Sequence, residues 1–135
     1  MTEPTRLFDC LTLNLAKDPL PDMLAGKENG AYKTYSTKEV ADTIQKLSTG
    51  LLRLGVSGAD RTPEGIEKIG IVCKNRPEWI MLDLAVQRCG AALAPVYPTI
   101  SLTELEFILN EAQVRIIFVN DAELFHKVSA TSFVL

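Results

Sequence analysis

The residues able to do chemistry in this 135-residue chain are few and scattered. The one histidine, His126, has no second ligand near it in sequence that would make a metal site or a general-base pair. The three cysteines, Cys10, Cys73 and Cys89, lie far apart and form no Cys-x-x-Cys pair. Neither a disulfide framework nor a structural zinc site is expected, and a reducing cytoplasm fits best. Cys73 and Cys89 read as small buried hydrophobes. Carboxylates gather at Glu104, Glu106 and Glu111 and stand singly at Glu78 and Asp83. Glycosidase chemistry needs two carboxyls facing each other across a substrate. These sit on expected helices, pointing different ways, and read as solvated faces. Ser48-Thr49-Gly50 looks like a piece of a phosphate loop, but it falls inside an expected helix, on the polar side of its leucine stripe. It reads as helix surface and small-residue packing. Neither G-x-G-x-x-G nor a Walker A motif occurs.

Three further residues draw interest through their place. Arg76 follows an expected strand at the carboxyl end of a parallel sheet, where open α/β sheets bind ligands. It is placed to meet an anion, although turn hydrogen bonds or a surface ion pair are the plainer expectation. Trp79 and Tyr97 suit the lining of an apolar pocket, with core or interface packing the preferred reading. No catalytic, cofactor-binding or metal-binding residue is therefore assigned.

The elements that position these residues follow from pattern. Leu7, Phe8, Leu11, Leu13 and Leu15 predict a helix over 5–17, stopped near Pro19 and Pro21. Segments 23–28 and 31–35 flank Asn29-Gly30, a strong hairpin signal. Ser36-Thr37-Lys38-Glu39 is a capping box. It opens a helix striped by Val40, Ile44, Leu47, Leu51 and Leu54 and closed by Gly55. A polar loop over 56–67 leads to a first strand, 68–74, whose unbroken apolar centre indicates burial on both faces. Pro77 suits the first position of the next helix and Glu78 its positive dipole end; Gly90 closes it after about Cys89. A second buried strand, 91–96, is placed with its end at residues 94–96, because Pro95 is awkward in a central strand. Ser101-Leu102-Thr103-Glu104 caps a helix bearing Leu102, Leu105, Ile108, Leu109 and Ala112. A third buried strand, 115–119, follows, and Asp121 starts a helix through Lys127.

From Ile69 onward the pattern is β-α-β-α-β with short connections, which demands parallel strands and right-handed crossovers. The expected class is α/β: a three-layer-like domain with a parallel β-α-β-α-β core (strands about 68–74, 91–96 and 115–119). A helix, a β-hairpin and a long capped helix precede it. Residues 1–135 read as a single domain, long enough to bury a core unaided. A net charge of -3 gives no case for nucleic acid. No apolar run approaches the roughly 20 residues of a membrane span, and MTEPTRLFDC is no secretory signal. Residues 131–135, TSFVL, are apolar, so more chain or a partner is expected to cover them.

Taken in order, Thr34-Tyr35, the helix ending Leu54-Gly55-Val56, Ile69-Gly70-Ile71-Val72, Asn75-Arg76-Pro77-Glu78-Trp79, Gly90-Ala91 and Pro95-Val96-Tyr97-Pro98-Thr99 resemble one family. It is the AMP-forming acyl-CoA synthetases of the adenylate-forming ligase superfamily. The Asn-Arg-Pro-Glu-Trp run followed by Val-Tyr-Pro-Thr looks most like the long-chain fatty-acid–CoA ligase branch. The resemblance runs from about Leu7 to Val128. It implies the amino-terminal subdomain of a larger catalytic domain, which joins a fatty acid to coenzyme A through an acyl-adenylate, releasing pyrophosphate and then AMP. Mg-ATP and CoA are implied for the complete enzyme and no cofactor for this chain. The family's Ser/Thr/Gly-rich phosphate loop, nucleotide-binding aspartate, hinge and catalytic lysine all lie downstream of the matched region. The resemblance thus implies a fragment that serves as scaffold and is inactive alone. Its implied partner is the remainder of a synthetase, or another copy through exposed apolar surface. Its implied place is the cytoplasm, with room for peripheral attachment to a membrane. The residues alone leave open a stand-alone α/β ligand-binding or protein-interaction module, using the open carboxyl ends of the strands.

Overall fold

Most helices of this chain start where a side chain can satisfy amides that the helix itself leaves free. The computed structural model describes residues 3–132. In it α1 spans Leu7–Lys17, α2 Thr37–Arg53, α3 Pro77–Arg88, α4 Leu102–Glu111 and α5 Ala122–Ser129. Both expected capping boxes close. The Glu39 amide donates to Ser36 Oγ at 3.2 Å while the Ser36 amide donates to Glu39 Oε2 at 2.7 Å. The same exchange joins Ser101 and Glu104, at 3.2 Å in both directions. Asp121 caps α5 by accepting from the Leu124 amide. Pro77 occupies the first turn of α3. At α1 the Arg6 guanidinium and amide both donate to Asp9; the guanidinium hydrogen bonds hold that carboxyl at a pKa of about 2. The helix therefore begins after Arg6 instead of at residue 5.

The chain divides into two compact units. The first comprises the residues up to Gly55 together with Arg76–Cys89. It holds α1, α2, α3 and an antiparallel hairpin, β1 (Leu24–Glu28) and β2 (Ala31–Tyr35), with Glu28 opposite Ala31. Asn29 and Gly30 form its two-residue turn with φ of 51° and 84°, the left-handed pair that a tight hairpin of this twist requires. A methyl group on Gly26 would lie 2.7 Å from Pro77 Cδ, so this glycine lets β1 rest on the first turn of α3.

The buried face of α2 is only partly apolar. Val40, Ile44 and Leu51 are buried as the stripe predicts, but Leu54 is 61% exposed. It lies past the last helical turn, as the C-cap. Thr37 and Ser48 complete the face. Ser48 is therefore not on the polar side of the helix. Its Oγ donates to the Ile44 carbonyl at 2.8 Å and approaches the Ala85 carbonyl of α3 at 3.3 Å. The Cys89 thiol donates back to the Ser48 carbonyl at 3.4 Å. Small polar residues let α2 and α3 come close while keeping every buried donor paired. Thr37, fully buried, ties the loop after α1 to the start of α2. Its Oγ1 accepts from the Leu20 amide at 2.9 Å and bonds Asn14 Oδ1 at 3.1 Å.

The second unit, Val56–Asn75 with the residues from Gly90 onward, contains the parallel sheet. Strands β3 (Lys68–Val72), β4 (Ala92–Val96) and β5 (Ile116–Val119) lie in the order β4-β3-β5, all parallel. Val72, Val96, Leu105, Leu109, Val114, Leu124 and Val128 form its core cluster. A methyl on Gly70 would come within 2.9 Å of Val114 Cγ1, so the central strand needs glycine there for the chain entering β5 to seat.

β3 has the two-sided burial expected of it, while the other two strands are less buried than expected. Residues 69–72 are buried, whereas β4 and β5 are mostly half-buried, because each has a neighbour on one side among the described residues. That placement also resolves Pro95. The strand runs through it to Val96, since an edge strand can turn a residue without an N–H outward. β3 stops at Val72, short of the expected 74, because the Lys74 amide donates to Asn120 Oδ1 and not to a ladder. β5 starts at Ile116, because Arg115 reaches aside to Glu67. Of the apolar residues 131–135, Phe133, Val134 and Leu135 lie outside the described residues.

Glu67 knots the amino ends of the three strands. Its Oε1 accepts from Arg115 Nη2 at 2.6 Å, its Oε2 from the Ser57 amide at 2.8 Å, and its carbonyl from the Ala92 amide at 2.9 Å. Burial pushes its carboxyl up, but the Arg115 hydrogen bond, the Ser57 amide and the Arg115 charge outweigh that and leave it below its ordinary 4.5. The stabilisation is therefore present above pH 4.5 and lost as pH falls through the lowered folded value. Melting followed by circular dichroism across this range should show Glu67→Gln flattening the acid limb, by under about 1 kcal/mol for a pair whose arginine is half exposed. Thr37→Val should destabilise by about 1–3 kcal/mol in urea melts, since it strands the Leu20 amide. Thr37→Ser, which keeps the hydroxyl, should recover most of that loss.

Candidate functional site

The register Val72 opposite Val96 and Val119 brings the carboxyl ends of the three parallel strands to one level. The chain leaves β3 for β4 on one side and then crosses to place β5 on the other. The strand order thus reverses between β3 and β5, the position at which open α/β sheets take ligands. Two loops meet there. The Lys74 amide donates to Asn120 Oδ1 at 3.0 Å, and Asn120 Nδ2 donates to Asp121 Oδ2 at 2.6 Å. Asp121 Oδ1 is taken by the Leu124 amide at 2.9 Å. Beyond β4 the loop is held by Lys127, whose Nζ donates to the carbonyls of Pro98 and Ile100.

This edge is built, but its polar groups are spent on building it. Asn120 bridges and Asp121 caps. Exposed groups along it include Lys74, Asn75, Tyr97 and Thr99, with Tyr97 84% exposed. They can offer a cation, an amide, an aromatic face and a hydroxyl to a ligand. Tyr97 stands clear of the core, so the core half of the expected core or interface packing does not hold; it follows the last residue of β4 and no strand holds it inward.

Arg76 makes the expected surface ion pair, its Nε and Nη2 donating to Glu78 Oε2 and Oε1 at 2.8 and 3.0 Å. That pairing holds the Glu78 carboxyl below its ordinary range. Trp79 is half-buried on α3. Asp83 accepts from Gln87 on the same helix, Glu106 accepts from the Ser132 amide, and Glu111 is exposed. His126 is exposed, its ring edge-on to Phe125 at 5.9 Å. All three cysteines are free; Cys89 is buried as expected, Cys73 only half so, and Cys10 exposed. The burial of Cys89 pushes its thiol up, away from the reactive thiolate. Among the described residues no three His, Cys, Asp or Glu side chains converge as metal ligands. No described helix is long and apolar enough to cross a membrane.

Sequence reasoning missed Glu67–Arg115, Lys74–Asn120 and Lys127, whose partners lie 27–48 residues away. A polar side chain bordering a buried strand is the one local hint they leave.

The fold is shared with adenylate-forming ligases of known structure. A fatty acid AMP ligase from Legionella pneumophila superposes with a TM-score of 0.74 at 13% identity, covering 93% of this chain and 21% of that one. In sequence, the chain is 26% identical over 115 residues to fatty acyl-CoA synthetase A of Dictyostelium discoideum, covering 82% of this chain. It is 30% identical over 122 residues to long chain acyl-CoA synthetase 4 of Arabidopsis thaliana, covering 87%. It spans 16% and 17% of those two relatives' lengths. Residues 16–133 match the AMP-binding enzyme family, and the chain belongs to it.

Asn120→Ala removes a side chain that joins the loops after β3 and β5. It should lower stability by about 0.5–1.5 kcal/mol in urea melts and speed amide exchange at Lys74 selectively, as read by hydrogen-exchange mass spectrometry.

Proposed function

We propose that this chain is the amino-terminal part of an ATP-dependent acyl-CoA synthetase acting on long-chain fatty acids, and that its part in that enzyme is structural. The observation carrying this reading is the family match over residues 16–133 in a chain that spans only about a sixth of its relatives. In the complete enzyme, a fatty carboxylate would attack the α-phosphate of Mg-ATP, and CoA thiol would then displace AMP. Adenylyl transfer needs preorganised donors around the phosphate oxygens. The amino termini of α2, α4 and α5 are capped by their own side chains, and no glycine-rich cradle with a lysine occurs in the sequence, which supports the scaffold reading. No step is therefore assigned to this chain's residues, and Mg-ATP and CoA belong to the remainder of the synthetase.

The scaffold reading gives the exposed apolar side chains a use. Phe107 and Phe125, 66% and 57% exposed in the second unit, would be covered by the rest of the same polypeptide. The proposed location is the cytoplasm, in keeping with three free cysteines.

With palmitate, Mg-ATP and labelled pyrophosphate, the chain alone should give no exchange above a heat-inactivated control. A version extended through the downstream regions of a complete synthetase should give exchange. Robust exchange from the chain alone would overturn the scaffold role. Exchange by the extended version with short or aromatic acids but not with long-chain ones would remove the substrate assignment. Saturable binding of ATP or acyl-CoA by the chain alone would favour the ligand-binding module at the carboxyl edge.

A further inference from the structure

The hairpin tip carries a chemical liability that the assignment above does not use. Asn29 and Gly30 are exposed, and they are the only two residues in the turn. Beyond its chain neighbours nothing lies within 4 Å of the point where a Gly30 side chain would begin, so the tip stands open on that side. Asn29 makes no side-chain hydrogen bond among the described residues. The strands behind the tip hold it weakly. Both are largely exposed, and they pair only with each other among the described residues. A two-stranded ribbon of this kind is marginal by itself. The tethers nearest the turn are a 3.5 Å contact from Lys33 Nζ and a 3.2 Å hydrogen bond from Tyr35 Oη, both to Glu28 Oε1 on the surface.

We propose that Asn29 is a site of spontaneous deamidation and isoaspartate formation, and that the product cannot close the hairpin again in its original register. The Gly30 nitrogen attacks Asn29 Cγ. The new N–Cγ bond forms, the Cγ–Nδ2 bond breaks, and the amide proton leaves with Nδ2 as ammonia, giving a five-membered succinimide. Water then opens the ring at one of its two carbonyls, yielding aspartate or isoaspartate, with no change of oxidation state. The attack requires the Asn29 backbone to rotate until the Gly30 nitrogen faces its own side chain. The closed left-handed turn resists that rotation and the frayed hairpin permits it, so the rate follows opening of the tip.

The two products differ in consequence. Aspartate keeps a two-residue Asp-Gly turn, which suits this geometry as Asn-Gly does. Isoaspartate routes the main chain through the former side-chain carboxyl and adds one backbone carbon, so a two-residue turn no longer spans from Glu28 to Ala31. β1 then loses its fixed register, and with it the seat of Gly26 on Pro77. The tip thus acts as a one-way latch within the first unit.

The test ages the folded full chain in mildly alkaline buffer. Peptide mapping and labelling by a protein isoaspartate methyltransferase should find isoaspartate at residue 29. Glu28→Ala, which removes both surface tethers, should speed its formation roughly twofold, the scale of an exposed pair. Asn29→Gly, which keeps a two-residue left-handed turn, should show none and melt like the parent. Aged parent chain should melt roughly 3 °C lower, with faster amide exchange confined to β1 and β2. If the folded chain forms no isoaspartate at 29 while the urea-unfolded chain does, the modification site is refuted. If isoaspartate accumulates with melting and exchange of the hairpin unchanged, the latch is refuted.

Discussion

The double pairing of β3 is the constraint on which the second unit rests. A strand bonded in parallel on both sides has no freedom of register, and its residues 69–72 are buried as a consequence. Each departure from an all-apolar strand there must then have a reason in its neighbours. Gly70 is the example: the space a methyl group would fill is occupied by Val114 and Ile117. The same pairing fixes which polar groups meet. At the amino ends it brings Glu67 to Arg115, and at the carboxyl ends it brings Lys74 to Asn120. The sheet is thus stitched at both poles by side chains outside the ladder.

Much of this is legible in the sequence because the signals are local. A serine three residues before a glutamate reports a helix start through atoms that lie within one turn. Asn-Gly reports its hairpin through two backbone angles. An apolar run between turns reports a parallel strand, because crossover connections bury both faces. Strand order is not local: at Pro95 sequence shows that a proline is present but not which strand lies at a margin, so the end of β4 is read only to within 94–96. Ser48 misleads for a similar reason. A hydroxyl looks polar until a helix carbonyl four residues back accepts its proton, after which it packs like a small apolar group.

The candidate site is legible to a lesser degree. The carboxyl edge can be located from topology, and the ion pair of Arg76 follows from a glutamate two residues on. What cannot be read is how thoroughly the edge consumes its own polar groups, since Asn120 and Asp121 acquire their partners only once the loops meet. Asn120 and Asp121 thus spend their side chains on holding loops in place, in keeping with the supporting role proposed above. Membership of the AMP-binding enzyme family gives the arrangement a context, for the chain spans a small share of each relative.

The two margins of the sheet are chemically unequal. Pro95 deprives the outer rim of β4 of an amide donor, while β5 displays Ile-Ile-Phe-Val without proline or charge. Any additional strand therefore meets one sterile border and one receptive border, and accretion has a direction written into it. A cell producing this polypeptide faces the same asymmetry during synthesis: the receptive border leaves the ribosome last of the three strands, when the other two can already receive it.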